Sequence, residues 1–384
     1  MSILEYTEVK TRQQMEDFIA VQKRVYENDE DMVLEISDQI QHELDPEKNP
    51  IAKQCSLTLF VVYKNSEPVA RAACIVNPTL NQEIQTNIGQ IGYLEFIEDT
   101  QVLALLMQAC YECLDLNGCN EIWCDVRFSL NYQVGIQTYG YDEPHTFLMP
   151  KQPDYYQHYL NSIGFHRLKK LNAYSIKLRP DFSIPIEIEK QAQFLIQQGY
   201  EVRPIKKREI ETCLQHYNGH WKGNFAHTPF NEDELKHVVK NMAIYLDRRF
   251  CYVVTKDGQL AGYIFTFPNY NQDLVHWKGK QSFTNILKFL YRYKIRRISS
   301  GLKTAIIGVD NNHKGKKLSS LLNYALLKSA LKHNCPFIER SWILEDNTAS
   351  IKQARRLGAQ LSKEFSIFSI SMDKAKESPL QEAS

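Results

Sequence analysis

No stretch of the 384 residues approaches the ~18 consecutive apolar residues needed to cross a bilayer, so no membrane-spanning helix is expected. The opening Met1-Ser2-Ile3-Leu4-Glu5-Tyr6 lacks a basic start, an apolar stretch and a small-residue cleavage site, so no secretory leader is expected. Net charge is nearly absent. The 46 Lys and Arg against 45 Asp and Glu leave +1, which calls for no specific nucleic-acid partner. The nine cysteines are an odd number scattered through apolar segments. That fits buried thiols in a reducing compartment, and a cytoplasmic location, better than a disulfide framework. Cys110-x-x-Cys113 has no second pair, and Cys119 and Cys124 fall on other predicted elements. His216, His220 and His227 have no acidic residue to complete a metal motif, and Asn218-Gly219 interrupts their helix. No metal site is expected.

What is present is a chain long enough for two cores, with 43% hydrophobic residues. Two stretches echo each other. Phe60-Val61-Val62-Tyr63 leads through Asn65-Ser66 into Val69-Ala70 and the apolar run Ala72–Val76. Tyr252-Val253-Val254-Thr255 leads through Asp257-Gly258 into Tyr263-Ile264-Phe265. Both read as strand hairpins. Gly164-Phe165 and Gly358-Ala359 each close a helix ahead of a strand, as a left-handed cap requires. Between these landmarks each half reads strand, helix, strand: 102–116 then 121–126, and 318–326 then Phe337-Ile338. The expectation is an α/β fold of two similar domains, each a mixed, mostly antiparallel sheet flanked by helices. Their spans are 1–180 and 200–372, with a linker at 181–199 and a flexible tail at 373–384.

The most informative segment runs from Thr304 to Leu322. An apolar strand ends at Ile307-Gly308-Val309, a polar loop carries Lys314-Gly315-Lys316-Lys317, and an amphipathic helix opens at Leu318-Ser319. Free amides and the positive end of a helix dipole bind pyrophosphate. Here the sequence resembles the GNAT superfamily of acyl-CoA N-acyltransferases, whose pyrophosphate loop has an Arg or Gln ahead of two spaced glycines. Lys314 takes the basic position, while Lys317 and Ser319 stand where glycine is usual. Ile338-Glu339-Arg340-Ser341-Trp342 with Glu345 and Asn347 is similar to a signature of uncharacterised bacterial tandem GNAT proteins. So are Gly92-Tyr93-Leu94-Glu95-Phe96 and Phe267-Pro268-Asn269-Tyr270-Asn271.

The resemblance implies acetyl-CoA or a longer acyl-CoA as co-substrate, held by the amides of Ile307 to Val309, the loop from Lys314 to Ser319, and Asn347. The alternative for Asn347 is a plain helix cap. A small-molecule amine or peptide would accept the acyl group, with Glu339 or Glu345 as general base and Trp221, Asn271 and Trp342 lining its pocket. The family's usual general acid, a Tyr four residues before the closing glycine, is replaced by Ala354 and by Leu160, and Tyr159 is one residue off register. In the first half the corresponding loop, Glu98-Asp99-Thr100-Gln101, is acidic and lacks glycine, so only the second half is expected to hold the donor. Residues 276–303 carry eight Lys or Arg and no acid, which suits an anionic membrane surface or a carrier partner. Two further readings stand beside acyl-CoA transfer: a silent binding module of the same fold, and transfer from a carrier protein or aminoacyl-tRNA.

Overall fold

The computed structural model describes residues 3–220, 224–298 and 300–377. Among the described residues thirteen strands make up one continuous sheet. In the first half they are β1 (Leu4–Glu8), β2 (Ser56–Lys64), β3 (Glu67–Val76), β4 (Ile88–Phe96), β5 (Glu121–Cys124), β6 (Ile136–Tyr139) and β7 (His166–Lys177). In the second they are β8 (Tyr200–Pro204), β9 (Tyr252–Lys256), β10 (Gln259–Pro268), β11 (Leu302–Val309), β12 (Phe337–Leu344) and β13 (Gln360–Ser371). Both expected hairpins form. Asn65-Ser66 and Asp257-Gly258 all take positive φ, the pairing of conformations whose twist matches that of the strands they join.

The sheet order is β1-β2-β3-β4-β5-β13-β7-β12-β11-β10-β9-β8, so it reads almost the same from either edge. The two halves repeat one plan, but they exchange closing strands. β13 of the second half lies against β5 of the first, and β7 of the first lies against β12 of the second. β7 and β13 then pair with each other antiparallel through the centre. Neither half closes its own sheet.

Helices cover both faces. Thr100–Leu116 buries Val102, Leu103, Leu106 and Cys110 against the first half. Leu318–Lys332 buries Leu321, Leu322 and Leu326 against the second. The stretch 181–199 carries a helix, Ile186–Gln197, whose Ile188, Ala192 and Leu195 join the core of the second half. At the far end a short helix, Met372–Lys376, is capped by Ser371 and buries its own Met372 and Ala375. No helix among the described residues is long and apolar enough to cross a membrane.

Candidate active site

A wedge opens where two parallel strands part. β11 and β12 are paired only at Leu302↔Ile338, Lys303↔Glu339 and Thr304↔Arg340. Beyond that point β11 follows β10 out to Val309, while β12 continues beside β7 to Leu344. The backbone of Ala305 to Val309 therefore has no strand neighbour on the wedge side. Ile307 and Val309 turn toward the core that holds Leu318 and Leu321, while Ala305 and Ile306 belong to the opposite face. Gly308 has a packing reason: a Cβ there would sit 2.4 Å from the Tyr263 ring.

Past the wedge, Asp310 caps a single helical turn at Asn311–His313, and His313 is steadied by the Tyr200 hydroxyl at 2.9 Å. Gly315 follows with φ +81° and open space around it. Lys317 adopts the left-handed conformation, φ 60° and ψ 31°, at the N-cap of the long helix. The lysine thus takes the backbone shape that favours glycine, and the helix N-terminus has no side-chain cap. Lys314, Lys316 and Lys317 are exposed around it. Leu318 is buried and anchors the helix, and Ser319 offers its carbonyl to Asn323 at 2.6 Å. An uncapped N-terminus ringed by lysines is a fit receptor for pyrophosphate. The matching point in the first half is different. Asp99 caps Thr100–Leu116, accepting from the amides of Gln101 and Val102 at 2.9 and 3.3 Å, and is paired with Lys64 at 2.7 Å. Those amides are taken by a carboxylate.

On the opposite face of the wedge lies a cavity of about 670 Å³ between the halves. Tyr217 of the helix Ile210–His220, Met242 and Tyr245 of the helix Glu232–Tyr245, and Phe230 from the loop between them line its apolar side. Bonds across the two halves surround it: Tyr132 to Glu234 at 2.8 Å, Asn131 to the Thr228 carbonyl at 2.7 Å, and Tyr217 to Asn131 at 2.9 Å. Lys303, Ala305, Ile306, Ser341 and Trp342 bring the wedge to its wall.

Lys303 is the unexpected member. It is 3% exposed, its ammonium meets only the thioether of Met149 at 3.0 Å and the Trp342 ring at 5.2 Å, and among the described residues it forms no ion pair. Burial lowers its pKa to about 8; Glu339 acts against that shift and Lys363 adds to it. Glu339 sits behind the wall, 2% exposed. It accepts from Lys363 at 2.5 Å, from Thr146 at 2.9 Å and from Ser341 at 3.1 Å, and Ser341 connects it to the cavity. Lys363 arrives on β13, and Thr146 comes from the first half.

The remaining candidates are dispersed. Glu345 is exposed and locked to the backbone of Lys170, accepting from its amide at 3.0 Å, so it does not reach the cavity. Asn347 caps the helix Thr348–Arg356 through the Ser350 amide at 3.1 Å, the plain-cap alternative. Asn271 is buried and directed at the His145 carbonyl, 3.3 Å away, outside the cavity wall. Trp342 lines the cavity. Trp221 lies outside the described residues. Ala354 and Leu160, which replace the usual tyrosine, are both fully buried.

A second charged cluster borders the cavity from the first half. Glu35 takes both Arg127 and, at 3.1 Å, Arg71; burial pushes its carboxyl upward, but the two guanidiniums prevail and hold it below the usual range. Glu95, bonded by Tyr26 and Tyr156 at 2.8 Å each, is raised by burial to about 7. Asp125 is raised by burial to about 7 as well. Sequence reasoning missed Lys303 and this cluster. For Lys303 a signal existed: one lysine between Leu302 and the apolar run Ala305-Ile306-Ile307. The cluster draws on residues 35, 71, 95, 125 and 127, whose meeting has no local signature.

Residues 211–359 match the Acetyltransferase (GNAT) family. Over 369 residues, 94% of this chain and 95% of the relative, the sequence is 24% identical to a bacterial ceramide synthase of Caulobacter vibrioides. It is also 24% identical over 332 residues, 84% of each chain, to protein YghO of Escherichia coli K12. Among solved structures, a tandem GNAT protein from the clavulanic acid biosynthesis pathway superposes with a TM-score of 0.59 at 12% identity, over 96% of this chain and 99% of that one. A GCN5-related N-acetyltransferase from Sphaerobacter thermophilus gives 0.51 at 9% identity, over 96% of each.

Proposed function

We propose, from the match of residues 211–359 to the Acetyltransferase (GNAT) family and the likeness of the chain to a tandem GNAT fold, an N-acyltransferase that moves a long acyl group onto a long-chain amine. The observation that carries this reading is the cavity of about 670 Å³, apolar along one side and reaching the wedge from the face opposite the lysine-ringed loop. Such a volume suits a sizeable apolar ligand, and a donor and an acceptor approaching from opposite faces would meet at the wedge. The relative named a ceramide synthase supports the same class of acceptor, since a ceramide is the N-acyl derivative of a long-chain amino alcohol.

Acyl-CoA, when bound, supplies the acyl group as a thioester; the amine takes it as the C–S bond breaks, and the amine's proton ends on the departing thiol. The chain's own residues divide the remaining work. Uncapped amides at Lys317 to Ser319, with Lys314 and Lys316, hold the pyrophosphate. Free backbone N–H groups at the wedge edge of β11 orient the thioester. Lys303 donates a charge-assisted hydrogen bond to the acyl carbonyl oxygen, for which the described residues offer no substitute acceptor beyond a thioether. Ser341, whose hydroxyl donates to Glu339, is the relay that passes to that carboxylate the proton an ammonium sheds before attack; the second proton, lost on amide formation, is the one that ends on the thiol. Helices Ile210–His220 and Glu232–Tyr245 exclude water and seat the acceptor's chain.

Isothermal titration of palmitoyl-CoA into the wild type and into Gly315→Glu tests the donor half of this reading. Saturable binding that the carboxylate variant loses is the expected result. Absence of binding to the wild type would remove acyl-CoA as donor and favour a carrier-protein or aminoacyl-tRNA donor, or a silent module.

A further inference from the structure

We infer that the segment Phe283–Ile295 is a membrane seat, which inserts an outward apolar stripe into an anionic bilayer. The helix Phe283–Leu290 continues without a break into a wider turn, Tyr291–Ile295. Its inner side is fixed: Phe289 and Tyr293 are buried and pack tilted and edge-on against Tyr270, ring centres at 4.9 and 4.7 Å. Its outer side is apolar as well. Phe283 is 73% exposed, Leu287 50%, Tyr291 49% and Ile295 71%, each four residues after the last. A helix packed on one side normally turns polar residues outward, and contiguous exposed apolar side chains mark a surface built for contact.

The flanking charge selects the partner. Lys280, Lys288, Lys294, Arg296 and Arg297 are exposed, and no Asp or Glu occurs between His276 and Lys303. Arg292 is the exception, paired with Asp273 at 2.8 Å. Large apolar side chains beside a run of cations with no acidic residue among them are what an interfacial helix presents to anionic headgroups and to the acyl boundary beneath them. An acidic carrier protein would be served by the cations alone and gives no reason for exposing Phe283 and Ile295.

The seat is also placed for use. Tyr270 lies 6.0 Å from Tyr245, ring centre to ring centre, and Tyr245 lines the inter-half cavity. Phe289 and Tyr293, and then Tyr270, lie between the stripe and the cavity wall. On the reading proposed above, an amphiphilic amine dissolved in a bilayer would then reach its pocket without crossing bulk water.

Co-sedimentation with vesicles tests the seat without any substrate. The wild type is expected to sediment with vesicles of phosphatidylglycerol and phosphatidylcholine, and only weakly with phosphatidylcholine alone. Phe283→Ser with Ile295→Ser, and separately Lys288→Glu with Arg296→Glu, are each expected to weaken binding by about tenfold or more. All four positions are exposed, so unfolding temperatures should match the wild type. Failure of the wild type to bind anionic vesicles would overturn the proposal. So would unchanged binding by the Phe283/Ile295 variant, which would reduce the attraction to bare charge of the kind a carrier protein also feels. Because the readout needs neither donor nor acceptor, either failure leaves the acyl-transfer reading standing, and loss of that reading leaves this test intact.

Discussion

Lys303 holds an ammonium at 3% exposure against a thioether and an indole ring. Burying a charge without a carboxylate partner costs several kcal/mol, and sites that accept that cost are commonly functional. With a pKa near 8, pulled down by burial, the group is mostly charged at neutral pH and can donate to an acyl oxygen. Lys303→Met keeps the bulk and removes the donor. We expect kcat to fall about 100-fold with palmitoyl-CoA affinity unchanged. An unaltered kcat would refute the role. The signal at Lys303, one lysine ahead of an apolar run, is easily passed over because the basic run that ends there makes it look like one more surface lysine. Glu339 was legible as a carboxylate on the wedge strand; its enclosure by Lys363 and Thr146 was not, since those partners lie on other elements.

Asp125 offers a test at the same scale that needs no ligand. Burial, with Glu95 and Glu35 nearby, raises its pKa to about 7 against the pull of Arg127 and Arg71. A carboxyl whose folded pKa is raised binds its proton more tightly folded than unfolded. Its contribution to stability is therefore greatest at low pH and declines as pH rises from about 4 to about 7. Asp125→Asn removes that titration. Thermal unfolding should show the variant ahead of the wild type by roughly 1–3 kcal/mol at pH 8 and level with it near pH 4. A difference independent of pH would show that Asp125 does not carry the charge.

At the scale of elements, the informative unit is the strand, loop and helix from Leu302 to Lys332. Its strand–loop–helix order was legible because an apolar run, a basic glycine-bearing loop and a helical stripe each follow from local spacing. Lys317 was read as a departure, and the backbone shows what kind: it adopts φ 60°, so the glycine-like conformation survives without the glycine. A left-handed non-glycine residue costs about 1 kcal/mol. Replacing it, Lys317→Gly, should raise the urea midpoint by an amount equal to about 0.5–1 kcal/mol, the relief exceeding the added freedom of the unfolded chain. A lowered midpoint would mean that the lysine side chain contributes more than its backbone strain removes. Asp99 makes the complementary point. Its place in the acidic loop was visible from sequence, and the structure adds the mechanism, a carboxylate already bonded to the amides a phosphate would need.

At the scale of the molecule, the tandem plan was visible as recurring hairpins and helix-closing glycines, but the exchange of β7 and β13 was not. Each half carries a complete local pattern, and which sheet a closing strand enters is decided by long-range pairing that leaves no periodic trace. The exchange matters for the site. It brings Lys363 from β13 to Glu339 and places the first half's Thr146 beside them, so the polar network behind the cavity wall is assembled from both halves. The halves also differ at the matching helix N-terminus, capped in one and without a side-chain cap in the other, and a cavity lies between them. The account stands on acyl transfer occurring in that cavity. The most direct measurement is mass-spectrometric detection of the amide formed from palmitoyl-CoA and a long-chain amino alcohol by the purified protein, with Met242→Trp, which fills the cavity, as comparison. The account predicts an N-acyl product from the wild type and little from the variant. Donor binding without amide formation on any long-chain amine, or equal product from the filled cavity, would contradict it.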